Sequence, residues 1–197
     1  MEKGYTLTEV VILFVIFLTV AILFIPLTID DAINTKNIKK WQMVQSNFMS
    51  IAIDIGRLSA EKEHSIPDKE DFINAIKENF PINDSVKYKI KYLNGKDADN
   101  MYNFEELHQT KHNAVIGYKW LNNNSKHGED KIYGIIMYDV NGKKGPNTWG
   151  KDIFGMNVYA NKIEPFGKRE DPITVSSDCS KQGSGIFCSI YDLKEEH

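Results

Sequence analysis

The chain begins with the segment Met1-Glu2-Lys3-Gly4-Tyr5-Thr6-Leu7-Thr8-Glu9, which leads directly into an apolar run from Val10 to Leu27. The run has 18 residues, and Thr19 is its only polar side chain. As a helix it is about 27 Å long, close to the thickness of the hydrocarbon core of a bilayer. A helix that is apolar all round is unusual in a domain surrounded by water, so the run predicts a membrane span.

Glu9 is the unusual residue of this segment, because it lies immediately before the apolar run and has Leu7 and Tyr5 on its other side. A carboxylate at the edge of a membrane span is costly without a partner, which makes Glu9 a candidate functional residue. The alternative is that Glu9 simply lies among the lipid headgroups.

The arrangement of Gly4, Tyr5 and Glu9 before an apolar helix resembles the leader junction of type IV pilins and of type II secretion pseudopilins. The resemblance implies that a prepilin peptidase cleaves between Gly4 and Tyr5 and methylates the new amine of Tyr5. It assigns Glu9 to the acidic position of the mature chain and Pro26 to the proline that bends the helix. The family usually has Phe where this chain has Tyr5, and an aliphatic residue where it has Thr8.

The resemblance also implies a domain organisation and a set of partners. Residues 1–4 would be the leader, 5–29 the transmembrane and polymerisation half of the first helix, 30–60 its amphipathic half, and 61–197 a globular pilin-like domain. The implied partners are prepilin peptidase, homologous subunits, an inner-membrane assembly platform and the lipid bilayer. The implied location is the inner membrane, with a single span, a cytoplasmic N-terminus and an exported domain, and with the filament in the periplasm or at the cell surface.

In such a filament, Glu9 of one subunit can pair with the Tyr5 amine of its neighbour. An unpaired charge in an apolar interior is strongly unfavourable, so the pair would fix the register of the helices more than it would add net stability. An ordinary secretory signal is the competing interpretation. It predicts a basic start, a shorter apolar core and a cleavage site of small residues, and this sequence has none of these.

The whole chain has 197 residues and a formal net charge of −3, which allows one modest globular domain beyond the first helix. The balance of charge offers no basic face, so the sequence gives no indication of nucleic-acid binding. It also lacks a nucleophile elbow and a glycine-rich phosphate loop, and we therefore predict that the protein is not an enzyme.

The rest of the chain predicts an α+β fold, in which a long N-terminal helix packs on a small antiparallel sheet. Apolar residues at helical spacing extend the first helix to about Ser59, with a bend at Pro26. These residues are Trp41, Val44, Phe48, Ile51, Ile55 and Leu58. A second helix is predicted over 69–79 with Asp68 as its N-cap, followed by a short helix over 104–109. Strands are predicted over 86–93, 114–121, 131–139, 153–159 and 186–191.

The two cysteines, Cys179 and Cys188, lie near the end of the chain with Gly183-Ser184-Gly185 between them. In an exported domain such a pair predicts a disulfide, because the flexible turn favours closure of the ring. A C-terminal disulfide loop also occurs in many type IV pilins.

The segment from Asp139 to Asp152 carries oxygen-bearing side chains at Asp139, Asn141, Asn147 and Asp152. Calcium prefers several oxygen ligands on a bending loop, and some pseudopilins bind it in a loop near the C-terminus, so these four residues are candidate Ca²⁺ ligands. We favour a structural loop, because the spacing is not that of an EF-hand and Lys143 and Lys144 lie inside it. Trp149 is predicted to anchor the loop or to contact a partner.

Two other patterns in the sequence give weaker indications of a binding site. Glu105, His108 and His112 have the spacing of metal ligands on one helical face, but we favour a solvated polar face, since no further ligand is identifiable and the stretch is strongly polar. Lys87, Lys89 and Lys91 alternate with Tyr88 and Tyr92, a pattern typical of either a half-exposed strand or an anion-binding face.

The sequence thus predicts a structural subunit of a type IV pilus or of a secretion pseudopilus, with the pseudopilus slightly favoured. The alternative function is an exported module that binds an ion or a partner through the 139–152 loop and does not polymerise.

Overall fold

The structure is a computed structural model that describes residues 7–61, 68–104, 106–121, 131–160 and 162–193. Within these ranges, the surroundings of the side chains of 21–32, 58–61 and 191–193 are not described. The predicted cleavage site at Gly4 and Tyr5 therefore lies outside the described residues, as do the side chains of Pro26 and Leu58.

The described elements are helices at both ends of the chain and a sheet between them. The helices are α1 (Leu7–Glu61), α2 (Lys69–Asn79), α3 (Pro172–Asp178) and a short 3-10 helix (Phe187–Leu193). The strands are β1 (Ile82–Val86), β2 (Leu107–Thr110), β3 (Val115–Trp120), β4 (Gly134–Asp139), β5 (Ile153–Val158) and β6 (Ile163–Pro165). They form one antiparallel sheet in which each strand pairs with its neighbours in the chain.

The chain divides into two compact units, residues 1–36 and residues 37–197. The first unit is described from Leu7 onward and is helical. The second contains the remainder of α1, the sheet and the other helices.

The prediction of a transmembrane helix is wrong for the described residues. No helix among them is both long enough and apolar enough to cross a bilayer. The predicted membrane-spanning half of the first helix, the assignment to the membrane proteins and the single-pass location in the inner membrane all depended on that span and are corrected with it.

The predicted amphipathic stripe of α1 is confirmed where it is described. Trp41, Phe48, Ile51 and Ile55 are buried, and Val44 packs against them. Trp41 stacks on Phe154 with ring centroids 5.2 Å apart. This stripe and α2 cover one face of the sheet, so the α+β combination of helices with an antiparallel sheet is present as predicted.

The opposite face of the sheet has a core of its own. Successive residues of a strand point to opposite faces, so Ile136 and Tyr138 of β4 join the helix-side core while Ile135 and Met137 join the other. This second core includes Trp149 and apolar residues from irregular segments, namely Ile90, Phe104, Phe166 and Ile186. Because β4 lies between β3 and β5 and is buried on both sides, every residue of it is buried.

Helix α2 and strands β3 to β5 confirm the predictions, whereas three other elements differ. The strand predicted over 86–93 does not form, because β1 ends at Val86 and the chain beyond it is irregular, although its side chains still alternate between inward and exposed. The helix predicted over 104–109 is replaced by β2, which pairs with β1 and β3. The strand predicted over 186–191 is replaced by the 3-10 helix, whose preceding turn is fixed by Asp178.

Candidate functional site

The first candidate site is the beginning of α1, where apolar side chains are exposed on all sides. Eleven large apolar residues between Leu7 and Val20 have exposed fractions from 43% to 83%. Contiguous apolar surface of this kind normally marks a site of interaction, since leaving it in water is unfavourable. Glu9 lies in the first turn of this helix and is also exposed. There its charge interacts favourably with the positive end of the helix dipole.

The second candidate site is the loop that joins β4 to β5. Asp139 is the last residue of β4, and Asp152 comes just before β5. Because the two strands pair with Asp139 opposite Ile153, the sheet brings both carboxyl groups to the same end. Both aspartates are fully buried.

The Asp139 carboxylate accepts three hydrogen bonds. The backbone N–H groups of Asn141 and Gly142 donate to Oδ1 at 3.1 and 2.8 Å, and the hydroxyl of Tyr88 donates to Oδ2 at 2.8 Å. Gly142 has a positive φ of 68°, and a Cβ there would lie 1.9 Å from the carbonyl oxygen of Asn113. Only glycine therefore fits where the loop leaves Asp139.

The Asp152 carboxylate is likewise surrounded by donors. The N–H of Thr148 donates to Oδ1 at 2.7 Å, while the N–H of Asn147 donates to Oδ2 at 2.9 Å. Asn141 also donates to Oδ2, through its side-chain Nδ2 at 3.1 Å. Asn141 therefore bridges the two acids, with its backbone on Asp139 and its side chain on Asp152.

Two amide oxygens in this loop have no hydrogen-bond partner although both are buried, namely Asn141 Oδ1 and Asn147 Oδ1. A buried acceptor without a donor costs about 1–3 kcal/mol. A hard cation removes this cost, because carboxylate and amide oxygens are the ligands that Ca²⁺ takes. The four predicted residues thus lie in one loop, and their oxygen atoms are of the type that such an ion prefers.

The electrostatics of the site agree with this chemistry. Burial and the nearby charge of Asp152 raise the pKa of Asp139 to about 8, and burial likewise raises the pKa of Asp152. Burial and the Asp139 carboxylate raise the pKa of Tyr88 well above its ordinary range, so its hydroxyl stays a donor. A divalent cation between the two acids would neutralise the charge that burial disfavours.

The other side chains of the loop, those of Lys143, Lys144 and Trp149, do not contribute to the acidic site. Lys143 and Lys144 are exposed, so their ammonium groups do not lie in the buried site. Trp149 is fully buried and donates from Nε1 to the carbonyl oxygen of Tyr102 at 3.3 Å. It therefore anchors the loop, as one of the two predictions for it stated.

Helix α1 holds this loop from the side. Asn37 donates from Nδ2 to the carbonyl oxygen of Lys151 at 3.3 Å, and Lys40 donates from Nζ to that of Val140 at 3.1 Å. One helical turn therefore contacts both arms of the loop.

Sequence reasoning missed Tyr88 and Thr148 as members of the site. Tyr88 lies 51 residues before Asp139, and nothing in the local pattern pairs them. Thr148 contributes a backbone N–H, which every residue but proline carries, so its identity gave no signal.

The remaining patterns do not form sites. Cys179 and Cys188 form the predicted disulfide, with Cα atoms 5.4 Å apart. Among the His, Cys, Asp and Glu side chains of the described ranges, this pair and Asp178 form the only cluster of three, and a disulfide leaves no thiolate for a metal. His108 lies in β2 and His112 in the turn after it, so they share no helical face, and Glu105 lies outside the described residues. Lys87, Lys89 and Lys91 are exposed on an irregular segment rather than on a strand.

Comparisons with protein-family models, with curated proteins and with solved structures found no match to this chain. The resemblance to type IV pilins therefore depends on the N-terminal residues alone, and it stays a prediction.

Proposed function

We propose that this protein is the structural subunit of a pilin-like or pseudopilin-like filament, assembled through the first part of α1. The observation that carries the proposal is the exposure of the apolar side chains from Leu7 to Val20. Copies of the same helix bundled together would bury this surface on every side, whereas a single partner groove would cover only one face.

The resemblance at the N-terminus supplies the order of events. A prepilin peptidase cleaves after Gly4, and the methylated amine of Tyr5 pairs with Glu9 of a neighbouring copy. The pair selects the correct stagger, because any other stagger leaves a charge unpaired among apolar side chains. The domain of residues 37–197 would give the filament its specific surface.

Assembly of the purified chain, cleaved after Gly4 so that it starts at Tyr5, tests the proposal, measured by sedimentation velocity and by electron microscopy of negatively stained samples. We expect the unaltered chain to form filaments. Phe14→Asp places a charge in the bundle, since Phe14 is 62% exposed in the single chain, and should leave only small species.

Met49→Asp is the matched control, because Met49 lies on the same helix and is 72% exposed but belongs to the 37–197 unit. It should assemble like the unaltered chain. The proposal fails if the unaltered chain sediments as a monomer, or if the two variants assemble equally.

The variant Glu9→Ala tests whether Glu9 fixes the stagger between neighbouring copies of the first helix. Folding of the domain should not change, because Glu9 is exposed and lies in the first unit, whereas filaments should become fewer or irregular. Regular filaments in the Glu9→Ala variant would show that the acid has no part in assembly.

A second function is favoured by the two unpartnered amide oxygens beside Asp139 and Asp152. They support a Ca²⁺ site that stiffens the loop between β4 and β5. A chain that binds Ca²⁺ but never polymerises would be an ion-binding module, the alternative stated from the sequence. Calorimetric titration of the metal-free chain with Ca²⁺ tests the site, and sedimentation of the same sample separates the two functions.

A further inference from the structure

The disulfide loop, from Cys179 to Cys188, lies directly against the acidic loop between β4 and β5. Gly150 and Gly185 meet at this contact, and both have a positive φ, of 78° and 80°. A Cβ on Gly150 would lie 2.9 Å from the Cys188 sulfur. One on Gly185 would lie 2.3 Å from the carbonyl oxygen of Trp149. The two loops are therefore in backbone contact, with a sulfur of the disulfide at the boundary.

A short stretch of chain that begins at Lys91 is hydrogen-bonded to both loops. Lys91 donates from its N–H to the carbonyl oxygen of Asn147 at 3.0 Å, and its own carbonyl oxygen accepts from the N–H of Trp149 at 3.0 Å. Two residues further on, Leu93 donates to the carbonyl oxygen of Ser184, in the disulfide loop, at 2.8 Å. A displacement of one loop therefore changes the hydrogen bonds available to the other.

The arm of the acidic loop at this contact is the arm that supplies donors to Asp152. The N–H groups of Asn147 and Thr148 donate to its carboxylate at 2.9 and 2.7 Å. Trp149, the next residue, is fully buried and carries the carbonyl oxygen that lies against Gly185. The position of the disulfide loop therefore influences the two backbone donors that hold Asp152.

Asp178, beside the disulfide, fixes the turn that carries Gly185. Its carboxylate accepts from the N–H groups of Ser184 and Phe187 at 2.9 and 2.8 Å. A cross-link removes open conformations of the chain between the cysteines and so favours this turn. Without the cross-link, α3 and the 3-10 helix would be joined by non-covalent contacts alone, and the turn would open more often.

A small reductant can reach the disulfide through Cys179, which is partly exposed, whereas Cys188 is buried. A thiolate of a dithiol attacks the Cys179 sulfur, the S–S bond breaks, and Cys188 leaves as a thiolate that takes up a proton. The second thiolate of the reagent then displaces Cys179, which is protonated in turn. The protein gains two electrons and two protons, and the dithiol becomes a cyclic disulfide.

We propose that the Cys179–Cys188 disulfide is a redox control of the acidic loop. In the oxidised chain the loop is held around Asp152, and reduction by a dithiol releases its 147–149 arm. The sheet keeps its fold, because the core on its helix side contains neither cysteine. The control goes beyond the proposed filament. Its consequence for Ca²⁺ rests on the second proposed function, whereas its consequence for the order of the loop does not.

Hydrogen exchange of the full chain, measured by mass spectrometry before and after treatment with dithiothreitol, tests the proposal. Alkylation of a parallel sample counts the thiols and shows that reduction is complete. We expect exchange in peptides that cover 140–152 to become at least about tenfold faster, and exchange in peptides that cover β3 and β4 to change by less than about twofold. Reoxidation should restore the slow exchange.

The double variant Cys179→Ser/Cys188→Ser is the matched control, because it lacks the bond that the reagent reduces. It should exchange like the reduced chain, with or without dithiothreitol.

Calorimetric titration with Ca²⁺ measures the consequence for the acidic site. We expect the reduced chain and the double variant to bind Ca²⁺ at least about tenfold more weakly than the oxidised chain. If the oxidised chain does not bind Ca²⁺, the calcium site is refuted, and the exchange measurement alone decides the redox control.

Three results would overturn the proposal. The first is unchanged exchange over 140–152 in the fully reduced chain. The second is an equal acceleration in β3 and β4, which would show a general loss of fold rather than control of one loop. The third is equal affinity of the oxidised and reduced chains for Ca²⁺, where the oxidised chain binds it.

Discussion

Lys40 of helix α1 donates a hydrogen bond from Nζ to the carbonyl oxygen of Val140, which directly follows Asp139, at 3.1 Å. Together with the bond from Asn37 to Lys151 on the other arm, it ties one turn of α1 to the acidic loop. A change in the conformation of the loop should therefore alter the packing of this turn of α1. If Ca²⁺ orders the loop, it should also stabilise the docking of this part of α1 on the sheet.

Calcium should stabilise the protein through Asp152. We expect the melting temperature to rise when Ca²⁺ replaces EDTA, because a ligand that binds only the native state adds to its free energy of unfolding. Asp152→Asn should remove most of this rise, since it removes one of two carboxylates. The exposed Asp84→Asn is the matched control and should keep the full rise. Equal melting temperatures with and without Ca²⁺ in the unaltered chain would refute the site.

In EDTA, the free energy of unfolding should fall as the pH rises from about 4 to about 8. The pKa of Asp139 is raised to about 8 in the folded chain, so the unfolded chain loses its proton first. Over this pH range the folded state holds more protons than the unfolded state. The stabilisation from Asp139 is therefore complete below its pKa in the unfolded chain. It falls between that pKa and about pH 8, by up to about 1.4 kcal/mol per pH unit.

Urea denaturation at several pH values measures this slope. Asp139→Asn should flatten it, because an amide does not titrate, and Ca²⁺ should flatten it as well by stabilising the carboxylate. A slope that is unchanged in Asp139→Asn would assign the pH dependence to other groups.

Trp41→Ala should cost about 3–5 kcal/mol of stability. Trp41 is fully buried, stacks on Phe154 and donates from Nε1 to the carbonyl oxygen of Ser189 at 3.1 Å. Urea denaturation followed by circular dichroism measures the loss. Met43→Ala, two residues further along α1 at 78% exposure, should change stability by less than about 0.5 kcal/mol.

Asp68→Ala should cost about 1 kcal/mol, because the Asp68 side chain caps α2 by accepting from the N–H of Asp71 at 2.8 Å. Asp68→Asn retains an acceptor and should lose less. The same denaturation experiment compares the two variants, and an equal loss in both would point to the charge rather than to the cap.

The sequence predicted those elements whose signals are local. Asp68 and the apolar spacing of Phe72 and Ile76 defined α2, and the long apolar run of β4 placed it inside the sheet. The alternation after Val86 is present in the burial of its side chains, but it predicted a strand where the backbone is irregular. The hydrogen bond of Tyr88 to a distant aspartate could not be recognised from the local pattern. The predicted membrane span is not found among the helices that the structure describes, although the apolar run itself is evident in the sequence.

The candidate site was predicted in part. The side chains of Asp139, Asn141, Asn147 and Asp152 were identified because oxygen-rich residues between two strands are visible in the sequence. The hydrogen bonds that close the loop come mostly from backbone N–H groups, which no residue type marks.

The order of the six strands has a consequence for how the domain folds. Each strand pairs only with the strands made just before and just after it, so no strand must wait for a distant part of the chain. Pairings between near neighbours close short loops, which lowers the contact order and speeds folding. A chain that emerges N-terminus first can therefore add β2 to β1, then β3, and so on to β6, leaving at each stage a single growing edge.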